Sequence, residues 1–314
     1  MDGMGITEQG GLPVSDETWV LGLGEVLWDC FPDRELPGGA PANFAFHAAQ
    51  LGCQAAVLSR VGTDRRGDEL SALLRAGGVV TDFIQQDAVH PTGTVEVDTS
   101  QPDQPRFTIR PDAAWDFMEW TPQWQSVSEN AAAVCFGTLA QRSPTSRKTI
   151  RRFLASVNDR ALVVYDINLR QDYFDRPTIE ESLRLCHVVK LNEEEEAALT
   201  ELLELGPCYP REFAARLRDR YDVDAVCITR GANGCLLVEG DQIADEPGVA
   251  VEVVDTVGAG DAFTAAWVFA RLRGRPLHQQ AQFANRVGAL IASRAGGMPV
   301  VKDELRSLIE EFSV

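Results

Sequence analysis

From Val20 onward the sequence alternates between short runs rich in β-branched and aliphatic residues and longer stretches with apolar residues at helical spacing. No other feature narrows the fold so far, because strand and helix repeated in turn build a mainly parallel sheet with helices on both faces. Strands are expected near Ala55–Arg60, Ala132–Gly137, Ala161–Asn168, His187–Leu191 and Ala225–Thr229, with helices over Asp68–Ala76, Thr145–Val157 and Glu193–Leu203. The first strand reads V-L-G-L-G-E-V-L-W from Val20 and ends at Asp29. Pro41 suits the first turn of the helix that follows, and Gly52 suits its stop. The fold class predicted is α/β, a doubly wound sheet between helices.

One stretch breaks the rhythm. Between His90 and Arg110 the chain reads T-G-T-V-E-V-D, a polar turn, then R-F-T-I-R, a hairpin with no helix between its strands. With the segment near Phe31–Pro37 it predicts a small β lid (residues 31–37 and 90–110) on one domain spanning residues 18–314, since inserted flaps of this kind often cover a site. Toward the C-terminus, Phe263, Ala266, Trp267 and Ala270 recur at helical spacing and a second helix runs from about Leu277 to Ala295. Both stripes read as core packing.

The charge balance restricts partners. With 47 acidic against 29 basic residues the formal net charge is −18, which repels nucleic acid and anionic membranes, so a phosphate-bearing ligand needs a local site. Lysine occurs only at positions 148, 190 and 302, which leaves phosphate binding to arginine or backbone amides and speaks against a lysine-dependent P-loop. The seven cysteines include no C-x-x-C and read as reduced, small hydrophobes of a cytoplasmic protein. Residues 1–17 are polar and Gly-rich and read as a flexible tail without a signal or anchor. No run of about 18 apolar residues offers a membrane span. None of the four histidines is paired at ligand spacing, and each reads as structural or surface.

The segment D-T-V-G-A-G-D from Asp255 to Asp261 carries the most chemistry. Gly258, Ala259 and Gly260 let a ligand approach the backbone, where free amides at a helix start, with the dipole behind them, would bind phosphate oxygens. Asp261 beside such a site has the position of a proton acceptor for phosphoryl transfer. The same residue reads as a simple helix cap, and spacing leaves both readings open. Other chemistries lack their motifs: there is no G-x-x-x-x-G-K-[ST], H-R-D with D-F-G, H-E-x-x-H or G-x-S-x-G.

This segment resembles the second hallmark motif of the ribokinase-like (PfkB) sugar kinases, D-T-x-G-A-G-D-x-F, and further pieces of that family follow in order from Val20 to Val301. G-G-A-P-A-N-F-A from Gly38 resembles the first hallmark motif, and V-G-T-D-R-R-G from Val61 the segment after it. Asn192 and Glu195 match N-x-x-E, Thr229–Gly234 matches the T-x-G-x-x-G nucleotide loop, and Ala284–Asn285 matches a position against the adenine. D-I-N-L-R from Asp166 resembles D-x-N-x-R, with Tyr173 and Phe174 replacing the family's Leu-Trp pair further on.

The resemblance implies an ATP-dependent sugar kinase in which Asp261 is the base and Gly258, Ala259 and Gly260 form the anion cradle. It implies that Asp29, Gly39, Asn43 and Arg170 hold the sugar, that Asn192, Thr229, Gly231, Gly234 and Asn285 hold ATP, and that Glu195 organises Mg2+ through water. It also implies a monovalent cation, K+, near Asp255, Val257, Arg294 and Gly296, and a homodimer through the β lid. G-E-V-L-W-D from Gly24 and G-G-A-P-A-N resemble the fructokinase branch, so D-fructose is the expected acceptor; ribose, a nucleoside and 2-keto-3-deoxygluconate are the enzymatic alternatives. A sugar-binding regulator on the same fold is the non-enzymatic one.

Overall fold

The computed structural model describes residues 18–98 and 106–313, so the N-terminal segment 1–17 and the tip of the predicted hairpin lie outside the described residues. In chain order the strands are β1 (Trp19–Leu23), β2 (Leu27–Cys30), β3 (Glu35–Gly38), β4 (Ala55–Gly62), β5 (Ile84–Asp87), β6 (Gly93–Asp98), β7 (Arg106–Ile109), β8 (Ala131–Gly137), β9 (Leu162–Asp166), β10 (Val188–Asn192), β11 (Ala225–Thr229), β12 (Cys235–Glu239) and β13 (Gln242–Glu246). The helices are α1 (Ala40–Gln50), α2 (Arg65–Ala76), α3 (Pro122–Glu129), α4 (Pro144–Leu154), α5 (Arg176–Leu185), α6 (Glu193–Leu202), α7 (Pro210–Tyr221), α8 (Ala259–Leu272), α9 (Leu277–Ala292) and α10 (Lys302–Phe312).

Nine strands form one sheet in the order β13-β12-β11-β10-β9-β8-β1-β4-β5, parallel from β11 to β5 and closed at the other edge by the antiparallel β12 and β13. After β1 the chain adds β4 and β5 on one side, then returns to lay β8 on the other. This reversal creates a crevice at the carboxyl ends of the strands, where open α/β sheets bind ligands.

The strands are buried on both faces, and side-chain size differs between them. Val134, Phe136, Val163, Tyr165, Val189, Leu191, Val226 and Ile228 join the core that holds Phe153 and Phe213 of α4 and α7. The opposite face presents Ala133, Cys135, Val164, Ala225, Cys227 and Cys235 to α8 and α9. Small side chains let α8 settle close to the sheet, and these cysteines pack as small hydrophobes. All seven are free thiols. Residues 262–270 of α8 are buried without interruption, which suits its almost wholly apolar sequence.

The expected first strand divides in two. Its beginning is β1 of the large sheet; after Gly24, Glu25 and Val26 the chain continues as β2 in a separate four-stranded sheet of order β3-β2-β6-β7. Both sheets demand an apolar run, so hydrophobicity alone hides the break. The hairpin forms as β6 and β7, but His90 stays outside it: the ring bonds Asp87 and stacks on Phe117 beneath the large sheet's edge. No helix among the described residues is long and apolar enough to cross a membrane.

Candidate active site

The α8 N-terminus is built on a backbone only glycine tolerates. Gly258, the N-cap, has φ of 74°, and a Cβ there would meet the Gly297 carbonyl oxygen at 2.5 Å. Ala259 and Gly260 open the helix, and Asp261 stands in its first turn, half-buried. The Asn43 amide donates from Nδ2 to Asp261 Oδ2 at 2.7 Å, tying α1 to α8. Asn43 Oδ1 is buried and has no partner among the described residues, an acceptor suited to a hydroxyl donor. Burial pushes Asp261 up to about 6; Asp166 adds to the rise, while Lys190, the Asn43 amide and Arg170 hold it back. It is thus ionised at neutral pH yet close enough to neutrality to accept a proton.

Beneath the glycine loop lies an ion pair that spacing in the sequence does not reveal. Asp166 and Lys190 are register partners on the parallel strands β9 and β10, so their side chains share a face and meet, Nζ standing 3.1 and 3.2 Å from the two carboxylate oxygens. Lys190 is 7% exposed and Asp166 3%. Burial works against the ammonium, but Asp166, Glu195 and Asp261 keep it charged. A Cβ on Gly260 would come within 3.2 Å of the Lys190 Nζ, which places this positive charge directly under the loop. The only hint in the sequence is one of three lysines standing inside an apolar strand.

Asp29 faces the crevice from the small sheet, on β2 between Leu36 and Val95. Burial raises it to about 6, opposed by Arg170 and assisted by Asp255. Gly39 caps α1 with φ of 104°, and a Cβ there would strike the Glu25 carbonyl oxygen at 2.5 Å. Arg170, after β9, is exposed, and among the described residues its side chain bonds its neighbour's carbonyl, at Leu169. Its charge favours the ionised forms of Glu25, Asp29 and Asp261. Asp29, Asn43, Gly39, Arg170 and Asp261 therefore converge on one space.

The other expected residues form a second group at the ends of β10 and β11. Asn192 and Thr229 are register partners, and Gly231 and Gly234 bracket the turn after β11. Asn192 and Glu195 cap α6 reciprocally: Glu195 donates its N–H to Asn192 Oδ1, and Asn192 donates its N–H to Glu195 Oε2. Glu195 Oε1 also receives the Leu169 N–H, which links α6 to the loop carrying Arg170. Asn285, on α9, donates to the Pro247 carbonyl and anchors the loop between β13 and α8. On that loop Val251, Val253, Val254 and Val257 are exposed. Asp255 accepts from the N–H groups of Val257 and Gly296, which clamps this loop to the one after α9; Arg294 instead points to Ser293 and Glu304.

Among the described residues no group of three or more His, Cys, Asp or Glu side chains is arranged to hold a metal ion. A divalent cation at this site would be held mainly by a nucleotide's phosphates and water, with Asn192 and Glu195 as the expected protein groups. That is the binding mode Mg2+ favours.

The pfkB family of carbohydrate kinases matches residues 24–303. The Escherichia coli fructokinase is 31% identical over 94% of this chain and 99% of its own length. The Haloferax volcanii 2-dehydro-3-deoxygalactonokinase is 26% identical over 86% of both. Among solved structures, an uncharacterized sugar kinase from Pyrococcus horikoshii superposes with a TM-score of 0.82 at 29% identity, over 95% of this chain and all of that one.

Proposed function

Because this chain belongs to the pfkB family of carbohydrate kinases, we propose that it transfers the γ-phosphate of ATP to a terminal hydroxymethyl of a small sugar, D-fructose foremost. The observation that carries this reading is the Asp261 carboxylate, held by Asn43 at the mouth of the glycine loop, with Arg170 acting on both it and Asp29. Asp261 takes the hydroxyl proton, the oxygen attacks the γ-phosphorus in line as ADP leaves, and the amides of Gly258 and Gly260 with the α8 dipole stabilise charge on the transferred group, the N–H groups of Val257 and Ala259 being held by Asp255 and Thr256. Lys190 beneath the loop adds to that field. Asp29 and the free Asn43 Oδ1 accept sugar hydroxyls. Asn192 and Glu195 would orient the waters of a magnesium ion, which would neutralise the nucleotide's phosphates.

The exposed valines beside Asn285 and the Gly231–Gly234 turn offer an apolar strip for a purine ring. The small sheet lies over the sugar side and serves as the lid that excludes water. The clamp made by Asp255, Val257 and Gly296 is where K+ would bind through carbonyl oxygens. In this reading the enzyme works in the cytoplasm, where ATP is available, and half-exposed Phe107 on β7 suits a homodimer through the lid. Resemblance of G-E-V-L-W-D and G-G-A-P-A-N to the fructokinase branch favours fructose. Arg170, exposed and uncommitted above three carboxyls, favours a sugar acid as the second reading.

A coupled assay with ATP and Mg2+ across fructose, ribose, tagatose, glucose, adenosine and 2-keto-3-deoxygluconate tests this. Fructose is expected to give the highest kcat/KM, because a site that hydrogen-bonds particular hydroxyls rejects analogues lacking them. A higher value for the sugar acid would move the assignment to the second reading. Activity on none would turn the protein into a sugar-binding regulator.

A further inference from the structure

Three polar side chains of α1, Asn43, His47 and Gln50, are spaced so that they share one face of the helix, and all three are buried. Asn43 grips Asp261. The other two hold the segment that follows α9. His47 Nε2 donates to the Gly297 carbonyl oxygen at 2.9 Å, and Gln50 donates to the Pro299 carbonyl and accepts the Val301 N–H. One residue before Gly297, the Gly296 N–H bonds Asp255, so this strap is tied to the loop before α8 as well.

Gly297 is where the strap meets the site. A Cβ on Gly258 would lie 2.5 Å from the Gly297 oxygen and 2.6 Å from its Cα, and a Cβ on Gly297 would lie 3.1 and 3.2 Å from the two ends of the Asn43 amide. The Gly297 backbone is therefore wedged between the turn carrying the cradle amides and the group that holds Asp261. What grips its carbonyl is His47, 0% exposed and so far without a part in the chemistry. A carbonyl oxygen can only accept, so Nε2 carries the proton, and Nδ1 is left buried with no partner among the described residues. Burial lowers the ring's pKa to about 4, which keeps it neutral at neutral pH. An apolar side chain would fill this space without stranding a nitrogen.

We propose that His47 is a positioning residue for phosphoryl transfer: by gripping the Gly297 carbonyl it seats that residue against Gly258 and the Asn43 amide, and so fixes the amide cradle and the base relative to each other. This rests on the kinase reading. His47→Leu keeps the bulk and removes the donor, whereas His47→Gln restores a donor at the reach of Nε2. Gln50→Leu cuts two bonds to the same strap beyond Gly297 and is the comparison for general loosening. Two readouts on the full chain test the proposal. One is hydrogen exchange, without sugar or nucleotide, at the Ala259 and Ala262 amides, whose bonds to the Thr256 and Gly258 carbonyls shape the loop. The other is kcat and KM with the best acceptor, together with ATP affinity by calorimetry.

In His47→Leu the two amides are expected to exchange at least about tenfold faster than in wild type. Its kcat should fall roughly ten- to a hundredfold while sugar KM and ATP affinity stay within about threefold, as expected when the reacting groups are misplaced and ground-state binding is kept. His47→Gln should bring exchange and kcat back to within about threefold of wild type. Gln50→Leu should lower the thermal midpoint and leave both near wild type. Unchanged exchange or a wild-type kcat in folded His47→Leu overturns the proposal, as does a loss carried by KM, an equal loss in Gln50→Leu, or no recovery in His47→Gln. Should the leucine variant fail to fold, His47→Met, which fills the space with a more adaptable chain, takes its place. If exchange responds as expected while wild-type protein phosphorylates no sugar, the kinase reading fails and the hold of His47 on the loop stands.

Discussion

At Asp261 the burial that suits the proposed proton acceptor also makes a fault in the fold. The carboxyl binds its proton more tightly folded than unfolded, so stability is lost as pH rises from the ordinary value of 3.8 through about 6. Asp261→Asn should therefore raise the thermal midpoint above pH 6 and leave it unchanged near pH 4. Its kcat should fall about 10²- to 10⁴-fold while ATP affinity holds, and wild-type kcat/KM should decline below about pH 6 as the base is protonated. Turnover within a few-fold of wild type, or equal melting of the two proteins at pH 8, would contradict this assignment. The motif around Asp261 could be read in the sequence, as could Asn43 and Asp29. Lys190 could not, because a charged residue in an apolar run reveals its partner only when strand register brings the partner alongside. For Lys190 that partner is Asp166, 24 residues away.

Helix α8 is the element on which the proposed chemistry hangs, and its N-cap, Gly258, is tightly confined. Gly258→Ala would combine a positive φ with a clash against the Gly297 carbonyl, at a cost of about 1–3 kcal/mol or more. Since relief must shift the loop that carries the amides, kcat should fall at least about tenfold. Gly52→Ala is the control: its φ of 92° is strained, but nothing lies within 4 Å of the new Cβ. Urea unfolding should register both changes, and turnover only the first. Loss of turnover in both would make the effect one of general stability. Most strands and helices were legible to within a few residues, since each carries its own periodicity. The break between β1 and β2 was not, because it separates two sheets that make the same demand for apolar residues.

In the whole molecule the two carboxyls expected to flank the sugar belong to different bodies, Asp29 to the four-stranded sheet and Asp261 to the helix layer of the nine-stranded one. Asp29→Ala should weaken sugar binding roughly ten- to a hundredfold, the loss of a charged acceptor to a buried hydroxyl. ATP binding without sugar should be unchanged in calorimetry, since that ligand's expected contacts lie at β10, β11 and α9. Equal sugar affinity would remove Asp29 from the site. The hairpin of the small sheet was visible in the sequence as a missing helix, whereas the membership of β2 was not.

A site divided in this way would behave as a coincidence detector. Only a molecule long enough to touch both sheets can draw them together, and a nucleotide resting on the large sheet alone has no grip on the small one. Initial-rate patterns would then follow an ordered sequence with sugar first, and Trp28, on β2 beside Asp29, would report the first event by its fluorescence before any phosphate moves.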